Sequence, residues 1–145
     1  MSGITDPTEE YFKDGIWGWD GTQWRKAGLP LWYADRLAGD VINFNADAGV
    51  NNLEGDATPA GELWIVQRVA GVNSTSGVAR LLIRALSSTH SIALTDAYDV
   101  VAGHWVTVAT ELLMKQSDHL SCHFNGCTAG DDLYLCWWGY KVKVT

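Results

Sequence analysis

Apolar and polar positions alternate with a period of two along much of this chain, which is typical of half-buried β-strands. Leu120, Cys122 and Phe124 alternate with polar neighbours, and Ile42 and Phe44 are each followed by asparagine. Short segments of this kind are separated by turns rich in Gly, Pro, Asn and Ser. The pattern predicts strands at residues 31–36, 41–46, 62–70, 78–86, 91–95, 104–114, 119–124 and 133–144.

The intervening segments carry turn-forming residues. We predict turns at residues 47–52 and at Asn125-Gly126, a loop at residues 96–103 that carries Tyr98, and a β-bulge at Gly139. Residues 78–86 also fit the helical period of 3.6 residues. A short apolar run does not distinguish a helix from a strand by its periodicity alone. We assign this segment to a strand because its neighbours are strands.

These elements indicate an all-β protein. Eight or so short strands, turns roughly every 8–12 residues and no convincing helix predict an antiparallel β-sandwich. The strand number and the chain length favour a jelly roll. We place the sandwich domain at residues 31–145, preceded at residues 1–30 by a polar arm and a tryptophan-rich hairpin that serve in attachment.

The hairpin is predicted at residues 15–26, where three of the eight tryptophans fall within eight positions. Asp20-Gly21 between aromatic flanks is a strong hairpin signal. A hairpin cannot bury three indoles by itself, so the indoles need another surface to pack against, either the sandwich or another subunit. We therefore predict a partner-binding surface formed by the aromatic and basic residues of this region, namely Tyr11, Phe12, Trp17, Trp19, Trp24, Arg25, Lys26 and Trp32.

Composition and charge narrow the class of protein. The 145 residues are 47% hydrophobic and 19% charged, which is typical of one globular domain with a sizeable core. A net charge of −7 disfavours nucleic-acid binding, because an acidic chain repels phosphates. No apolar run approaches the ~20 residues of a membrane helix. The first ten residues lack the features of a signal peptide, so we expect folding in the cytoplasm.

The cysteines and acidic pairs do not indicate a metal site. Three cysteines without a secretion signal predict free thiols, with a single disulfide as the alternative. There is no C-x-x-C pair, and alternation places Cys122 and His123 on opposite faces of a strand. Asp131-Asp132 and the acids beside Tyr98 are interpreted as turn formers rather than as calcium ligands.

The sequence nominates no catalytic site. It contains no G-x-S-x-G, H-E-x-x-H or P-loop motif, and its four histidines have no partner motif. No pair of carboxylates is marked out for glycoside hydrolysis. We therefore predict a protein that is not an enzyme and needs no cofactor.

Three C-terminal segments, residues 113–120, 128–135 and 139–144, resemble the last strands of small β-sandwich virion proteins of tailed bacteriophages. Residues 58–64 resemble the turn and strand that open an earlier pair in those proteins, and residues 18–26 are similar to an N-terminal segment of them. The family usually has glycine where this chain has Ser117. The resemblance covers most of residues 17–144 and rests on turn and strand patterns.

The resemblance implies a structural role. We expect a non-enzymatic capsid decoration, or cement, protein on the outside of a tailed-phage head, where it stabilises the shell. It would be a homotrimer assembled in the host cytoplasm, bound through its N-terminal part to the major capsid protein or to a tail protein.

Two alternatives remain, a phage tail or fibre component and a carbohydrate-binding β-sandwich module. Indole faces pack against sugar rings, so eight tryptophans on a sandwich suit a carbohydrate-binding module. A host glycan is a candidate partner for a virion protein as well as for such a module. We expect at least half of Trp64, Trp105, Trp137 and Trp138 to fill the core instead.

Overall fold

The fold is taken from a computed structural model, which describes residues 35–143, Thr22 and the backbone of two short strands before them. The described residues form ten β-strands and no helix. The chain divides into two units, Met1–Ala34 and Asp35–Thr145. The all-β class predicted from the alternation is confirmed.

The first unit contains the tryptophan-rich hairpin. Strands β1 (Ile16–Trp19) and β2 (Trp24–Ala27) pair antiparallel, with Trp19 opposite Trp24. This register leaves residues 20–23 between the strands, a connection of four residues rather than the two-residue loop that an Asp-Gly pair usually indicates. The predicted hairpin is therefore present, with a longer connection. The predicted arm, residues 1–14, lies outside the described residues.

The second unit consists of two four-stranded antiparallel sheets. The first sheet has the order β3-β10-β5-β8, and the second has the order β4-β9-β6-β7. The strands are β3 (Asp35–Asn43), β4 (Gly49–Glu54), β5 (Glu62–Asn73), β6 (Val78–Leu86), β7 (Ser91–Val100), β8 (Val106–Met114), β9 (His119–Cys127) and β10 (Leu133–Lys143).

The strand order is that of a jelly roll. The chain folds back at the β6–β7 connection, so that β6 pairs with β7, β5 with β8, β4 with β9 and β3 with β10. Two further pairings, β5 with β10 and β6 with β9, roll this long ribbon into two sheets. An antiparallel ribbon closed in this way is the double-sheet arrangement predicted from the strand number.

The core lies between the sheets and follows the period-two pattern. Leu81 and Ile83 of β6, Phe124 of β9, and Leu133 and Leu135 of β10 are fully buried. Their neighbours in sequence point to the opposite face of each sheet, because successive side chains of a strand alternate. In β9 the face predicted from alternation, Leu120, Cys122 and Phe124, is the one that fills the core.

The bulge predicted at Gly139 occurs at that position, but the extra residue belongs to the partner strand. Arg68 of β5 lies opposite Trp138 and Val66 lies opposite Gly139, so Gln67 is the additional residue. The bulge presses the β5 backbone onto β10, where a Cβ atom at position 139 would collide with the carbonyl oxygen of Ile65. Glycine is required here by close backbone approach.

Two predicted turns are in fact parts of strands. Residues 49–54 form β4, in which the side chain of Asn51 faces inward. Its Nδ2 donates to the carbonyl oxygen of Asp47 at 2.8 Å, and its Oδ1 accepts from the N–H of Asp47 at 3.0 Å. Asn125-Gly126 lies within β9. Gly49 of β4 lies opposite Cys127 and Asn51 lies opposite Phe124, so β9 has one residue more than β4 between these two pairs. Gly126 has φ +89°, so the Asn-Gly pair forms a bulge rather than a chain reversal.

Three predicted segments also differ in their bounds. Residues 96–100 continue β7 instead of forming a loop, because Asp96 and Tyr98 pair with Leu82 and Arg80 of β6. A single strand, β3, joins the end of the strand predicted at 31–36 to that predicted at 41–46, since residues 35–43 pair continuously with β10, and residues 31–34 lie outside the described residues. Strand β8 begins at Val106, two residues later than predicted.

Candidate binding surfaces

The outer faces of the two sheets differ in chemistry. On the second sheet, most outward side chains are polar and several are paired with one another, although Val50 and Tyr98 are also exposed. Nε and Nη2 of Arg80 each donate a hydrogen bond of 2.8 Å to a carboxylate oxygen of Asp96. His119 lies 3.0 Å from Glu54, and a ring nitrogen of His123 lies 2.9 Å from the amide oxygen of Asn52. A face of this kind is suited to water.

The first sheet carries large apolar side chains on its outer face. We call the set Ile42, Phe44, Leu113, Tyr134 and Trp138 the aromatic face. Phe44 is 64% exposed and Leu113 is 58% exposed. Tyr134 and Trp138 point outward because Leu133, Leu135 and Trp137, which alternate with them along β10, fill the core.

The aromatic face already covers part of its own sheet. Val72 lies opposite Tyr134 and is 1% exposed, and Ile65 lies opposite Leu113 and is buried, although neither belongs to the core between the sheets. The ring of Phe44 packs edge-on against Tyr134, with 6.0 Å between centroids. The outer face of this sheet thus carries a second apolar layer, which is thinner than the core and is exposed on the side that faces away from the sheet.

Charged residues of both signs surround this layer. Arg36 and Asp40 lie on β3, Arg68 lies on β5 opposite Trp138, and Glu111 lies on β8. None of the four forms an ion pair with another described residue. Because β3 and β8 are the two edges of the first sheet, unpaired charges border the aromatic face on both sides.

A cavity of about 580 Å³ lies at the connection between β7 and β8, lined by residues 97–101 and 104–107. Tyr98 is 63% exposed and Trp105 is 47% exposed there. The hydroxyl of Tyr98 donates to Asp96 at 3.3 Å, and the guanidinium carbon of Arg80 lies 5.4 Å from the Tyr98 ring centroid. The Trp105 ring packs against Tyr134, with 6.1 Å between centroids.

A buried carboxylate organises this end of the sandwich. Asp131 Oδ2 accepts hydrogen bonds from Asn73 Nδ2 at 2.7 Å, from Ser76 Oγ at 2.5 Å and from the backbone N–H of Thr128 at 2.8 Å. The carbonyl of Asn73 accepts from the N–H of Gly103 in the β7–β8 connection at 2.9 Å. Asp131 therefore joins the β5–β6 and β9–β10 connections, and through Asn73 it supports the cavity-bearing loop.

The protonation of Asp131 follows from these contacts. Burial raises the pKa of Asp131, but the hydrogen bonds from Ser76, Asn73 and Thr128 favour the charged form more strongly, so the pKa lies below its ordinary value. The neighbouring Asp132 takes part through its backbone, accepting from Ser74 N and donating to Thr75 Oγ1. Among the described residues, no group of three or more His, Cys, Asp or Glu side chains could hold a metal ion.

The three cysteines are free thiols, as predicted. Cys122 and Cys127 are buried and Cys136 is half-buried. Burial raises the pKa of the Cys122 thiol far above its ordinary value. The alternative prediction of a disulfide is wrong in this fold.

The sequence-predicted site residues lie partly within the described chain. The backbone register of the hairpin brings Trp19 opposite Trp24 and Trp17 opposite Lys26. Arg25 lies opposite Gly18. Tyr11, Phe12 and Trp32 lie outside the described residues.

Sequence reasoning did not find the aromatic face or the cavity. Of the four strand tryptophans, Trp64 and Trp137 fill the core and Trp105 and Trp138 are exposed, which confirms the expectation that at least half would be buried. The adjacent pair Trp137-Trp138 was the available indication. Two neighbouring residues of a strand point to opposite faces, so one indole had to lie outside the core.

Comparisons with known proteins yield little. No family model matches the chain, and no curated protein matches it significantly. Among solved structures, a mutant of CBM29-2, from work on ligand recognition by family 29 carbohydrate-binding modules, matches with a TM-score of 0.35 and 13% identity. That match covers 81% of this chain and 80% of the other. No helix in the described part of the chain is both long and apolar enough to span a membrane.

Proposed function

We propose that this protein is a non-enzymatic structural component of a tailed-phage virion, a decoration or cement protein on the outside of the head. In this proposal the jelly-roll bodies form a homotrimer through the aromatic face. The hairpin and the arm before it bind the major capsid protein or a tail protein, after assembly in the host cytoplasm. The observation that carries the proposal is the contrast between the aromatic face and the polar outer face of the second sheet.

The aromatic face has the chemistry of a protein interface. In a sandwich whose outer faces meet water, outward positions are expected to be polar, as most of them are on the second sheet. Contiguous exposed apolar patches instead mark interaction sites. Aromatic residues and arginine are enriched in such interfaces, and this sheet carries Tyr134 on β10 and Arg68 opposite Trp138.

A second copy of the chain is the partner best suited to this face. The unpaired charges are two basic and two acidic, so the border is complementary to itself rather than to a surface of one sign. In a closed ring each copy presents one surface to a different surface of the next. In our proposal Arg36 and Asp40, on the β3 edge of one copy, meet Glu111 and Arg68 of the next, and the apolar residues fill the space between.

The attachment role of the hairpin rests on its sequence and backbone register. In the backbone register Trp19 lies opposite Trp24, next to the connection between the two strands. The weakly basic character of residues 13–36, which carry four basic and three acidic side chains, suits an acidic protein surface. Candidate anchor residues are Tyr11, Phe12, Trp17, Trp19, Trp24, Arg25, Lys26 and Trp32.

The trimer can be tested by light scattering on the purified full-length protein. We expect a mass of three times 15.9 kDa. Trp138→Glu and Leu113→Glu place a charge in the aromatic face and should yield monomers, because a desolvated unpaired charge is costly. Ala93→Glu, at an exposed position on β7 of the other sheet, is the matched control and should remain trimeric. A monomeric wild type would contradict packing through this face.

The anchor needs a separate experiment on phage particles that carry the protein. A full-length variant in which Trp17, Trp19 and Trp24 are changed to alanine should keep its solution mass and its strand-rich circular dichroism spectrum but should not bind the particles. Full occupancy of the particles by this variant would place the anchor elsewhere.

The alternative function, carbohydrate binding, is favoured by a different part of the molecule, the cavity beside Tyr98 and Trp105.

A further inference from the structure

We propose that the cavity at the β7–β8 connection binds a neutral saccharide, with sugar rings packing on Tyr98 and Trp105 and sugar hydroxyls bonded by Asp99, His104 and Thr107. This site goes beyond the proposed assembly function, although it adjoins the aromatic face where Trp105 packs against Tyr134. It would give a copy-rich exterior protein the ability to bind a glycan.

The size of the cavity suits a small ligand. Its volume of about 580 Å³ lies within the range of roughly 300–1,000 Å³ that is usual for ligand pockets. It is formed by one connection and the ends of the two strands that it joins, so its walls are consecutive in sequence. The Asp131 network holds this end of the sandwich in place through the hydrogen bond from Gly103 to Asn73.

The two aromatic side chains each contact neighbouring side chains that restrict them. Tyr98 is held by its hydrogen bond to Asp96 and by the Arg80 guanidinium, which is itself bound to Asp96 at two points. Trp105 is held by packing against Tyr134, which in turn contacts Phe44. Because these rings are exposed and yet restrained, stacking on them costs little side-chain entropy.

The polar side chains of the cavity are unoccupied by protein partners. Asp99, His104 and Thr107 line it, and none of their side chains forms a hydrogen bond with another described residue. On the second sheet, by contrast, Arg80, His119 and His123 are paired. A carboxylate, an imidazole and a hydroxyl together supply the acceptors and donors that a sugar hydroxyl requires.

The charge of the protein selects among saccharides. The chain carries a net charge of −7, and Asp99 places a carboxylate in the cavity itself. Like charges repel, so an acidic sugar is disfavoured at this position. Aromatic rings combined with one acceptor carboxylate and neutral hydrogen-bonding groups therefore favour an uncharged, hydroxyl-rich ring.

The test is calorimetric titration of the full-length protein with a set of neutral oligosaccharides, lactose, cellotriose and mannotriose, and with the anionic sialyllactose. We expect binding of at least one neutral sugar and weaker or no binding of the anionic one. Failure of all three neutral sugars to bind at millimolar concentration would overturn the proposal. Equal affinity for sialyllactose and for the best neutral sugar would overturn the selection by charge.

Variants assign the binding to the cavity. Tyr98→Ala should weaken binding at least tenfold, whereas Tyr98→Phe, which keeps the ring, should bind within a few-fold of the wild type. Ile92→Ala changes another exposed apolar residue of β7 outside the cavity and should leave affinity unchanged. If Tyr98→Ala binds as well as the wild type, the site lies elsewhere. The Leu113→Glu variant changes a residue of the aromatic face that does not line the cavity and should retain sugar binding, so failure of the trimer and failure of this site are distinguishable.

Discussion

Asp131 offers a quantitative test of how the loop end of the sandwich is held together. Its Oδ2 atom accepts three hydrogen bonds, two from side chains and one from the backbone. Asp131→Ala removes the acceptor and leaves the donors of Asn73, Ser76 and Thr128 without it. A buried donor left unsatisfied costs about 1–3 kcal/mol, so we expect a loss of about 3–5 kcal/mol after partial compensation by water.

Asp131→Asn separates the contribution of charge from that of geometry. All three donors converge on one oxygen, so an amide oxygen in that place keeps the three contacts but not the negative charge. Charge-assisted hydrogen bonds are roughly twice as strong as neutral ones. We expect Asp131→Asn to cost about 1–2 kcal/mol at pH 7, or roughly 3–6 °C in Tm for a chain of this length.

The pH dependence supplies the decisive measurement. The pKa of Asp131 is lowered in the folded protein, so its stabilisation is complete above the ordinary aspartate pKa of about 3.9 and is lost as the pH falls through the folded value. Asparagine takes up no proton, so the difference in Tm between the wild type and Asp131→Asn should shrink below about pH 4.

The assay is thermal unfolding followed by calorimetry from pH 7 to pH 3. Asp132→Asn removes the same charge one residue away, where the protein uses the backbone, and should behave like the wild type. If Asp131→Asn is as stable as the wild type at pH 7, or if the difference in Tm is the same at pH 3 as at pH 7, the charged acceptor does not hold this end together.

Two further predictions concern single positions in and beside β10. Gly139→Ala forces a Cβ into the carbonyl oxygen of Ile65, so we expect a loss of about 3 kcal/mol or more in urea unfolding; a loss below about 1 kcal/mol would contradict the close backbone approach. In the native protein a thiol reagent should modify the half-buried Cys136 first, and faster as the pH rises, while Cys122 should react only on unfolding; rapid modification of Cys122 in the native state would show that the core opens there.

Much of the sandwich could be predicted from local pattern, because alternation along a strand reports directly on which side chains share a face. Leu120, Cys122 and Phe124 of β9 were assigned to one face from sequence, and all three are buried in the core. The pattern did not reveal β4, where one of the two inward positions is an asparagine. Asn51 is tolerated there because the backbone of Asp47, four residues earlier, satisfies its amide.

The candidate surfaces could not be predicted in the same way. The aromatic face joins Phe44, Leu113 and Trp138, which are far apart in sequence and meet only because β3, β8 and β10 belong to the same sheet. The Tyr98 ring was assigned to a loop, and its fixed position depends on pairing with β6. Both features depend on register between paired strands, for the aromatic face between strands far apart in sequence, and no local period contains that register.

Strand β10 shows most clearly what the sequence determined and what the tertiary structure decided. By itself the sequence determined that Leu133, Leu135 and Trp137 share one face and that Tyr134, Cys136 and Trp138 share the other, because a strand alternates. Both sets are apolar enough to be buried, so the sequence did not determine which one would fill the core. The tertiary structure decided it: the second sheet covers only one side of the first, and the opposite side is left with an aromatic surface.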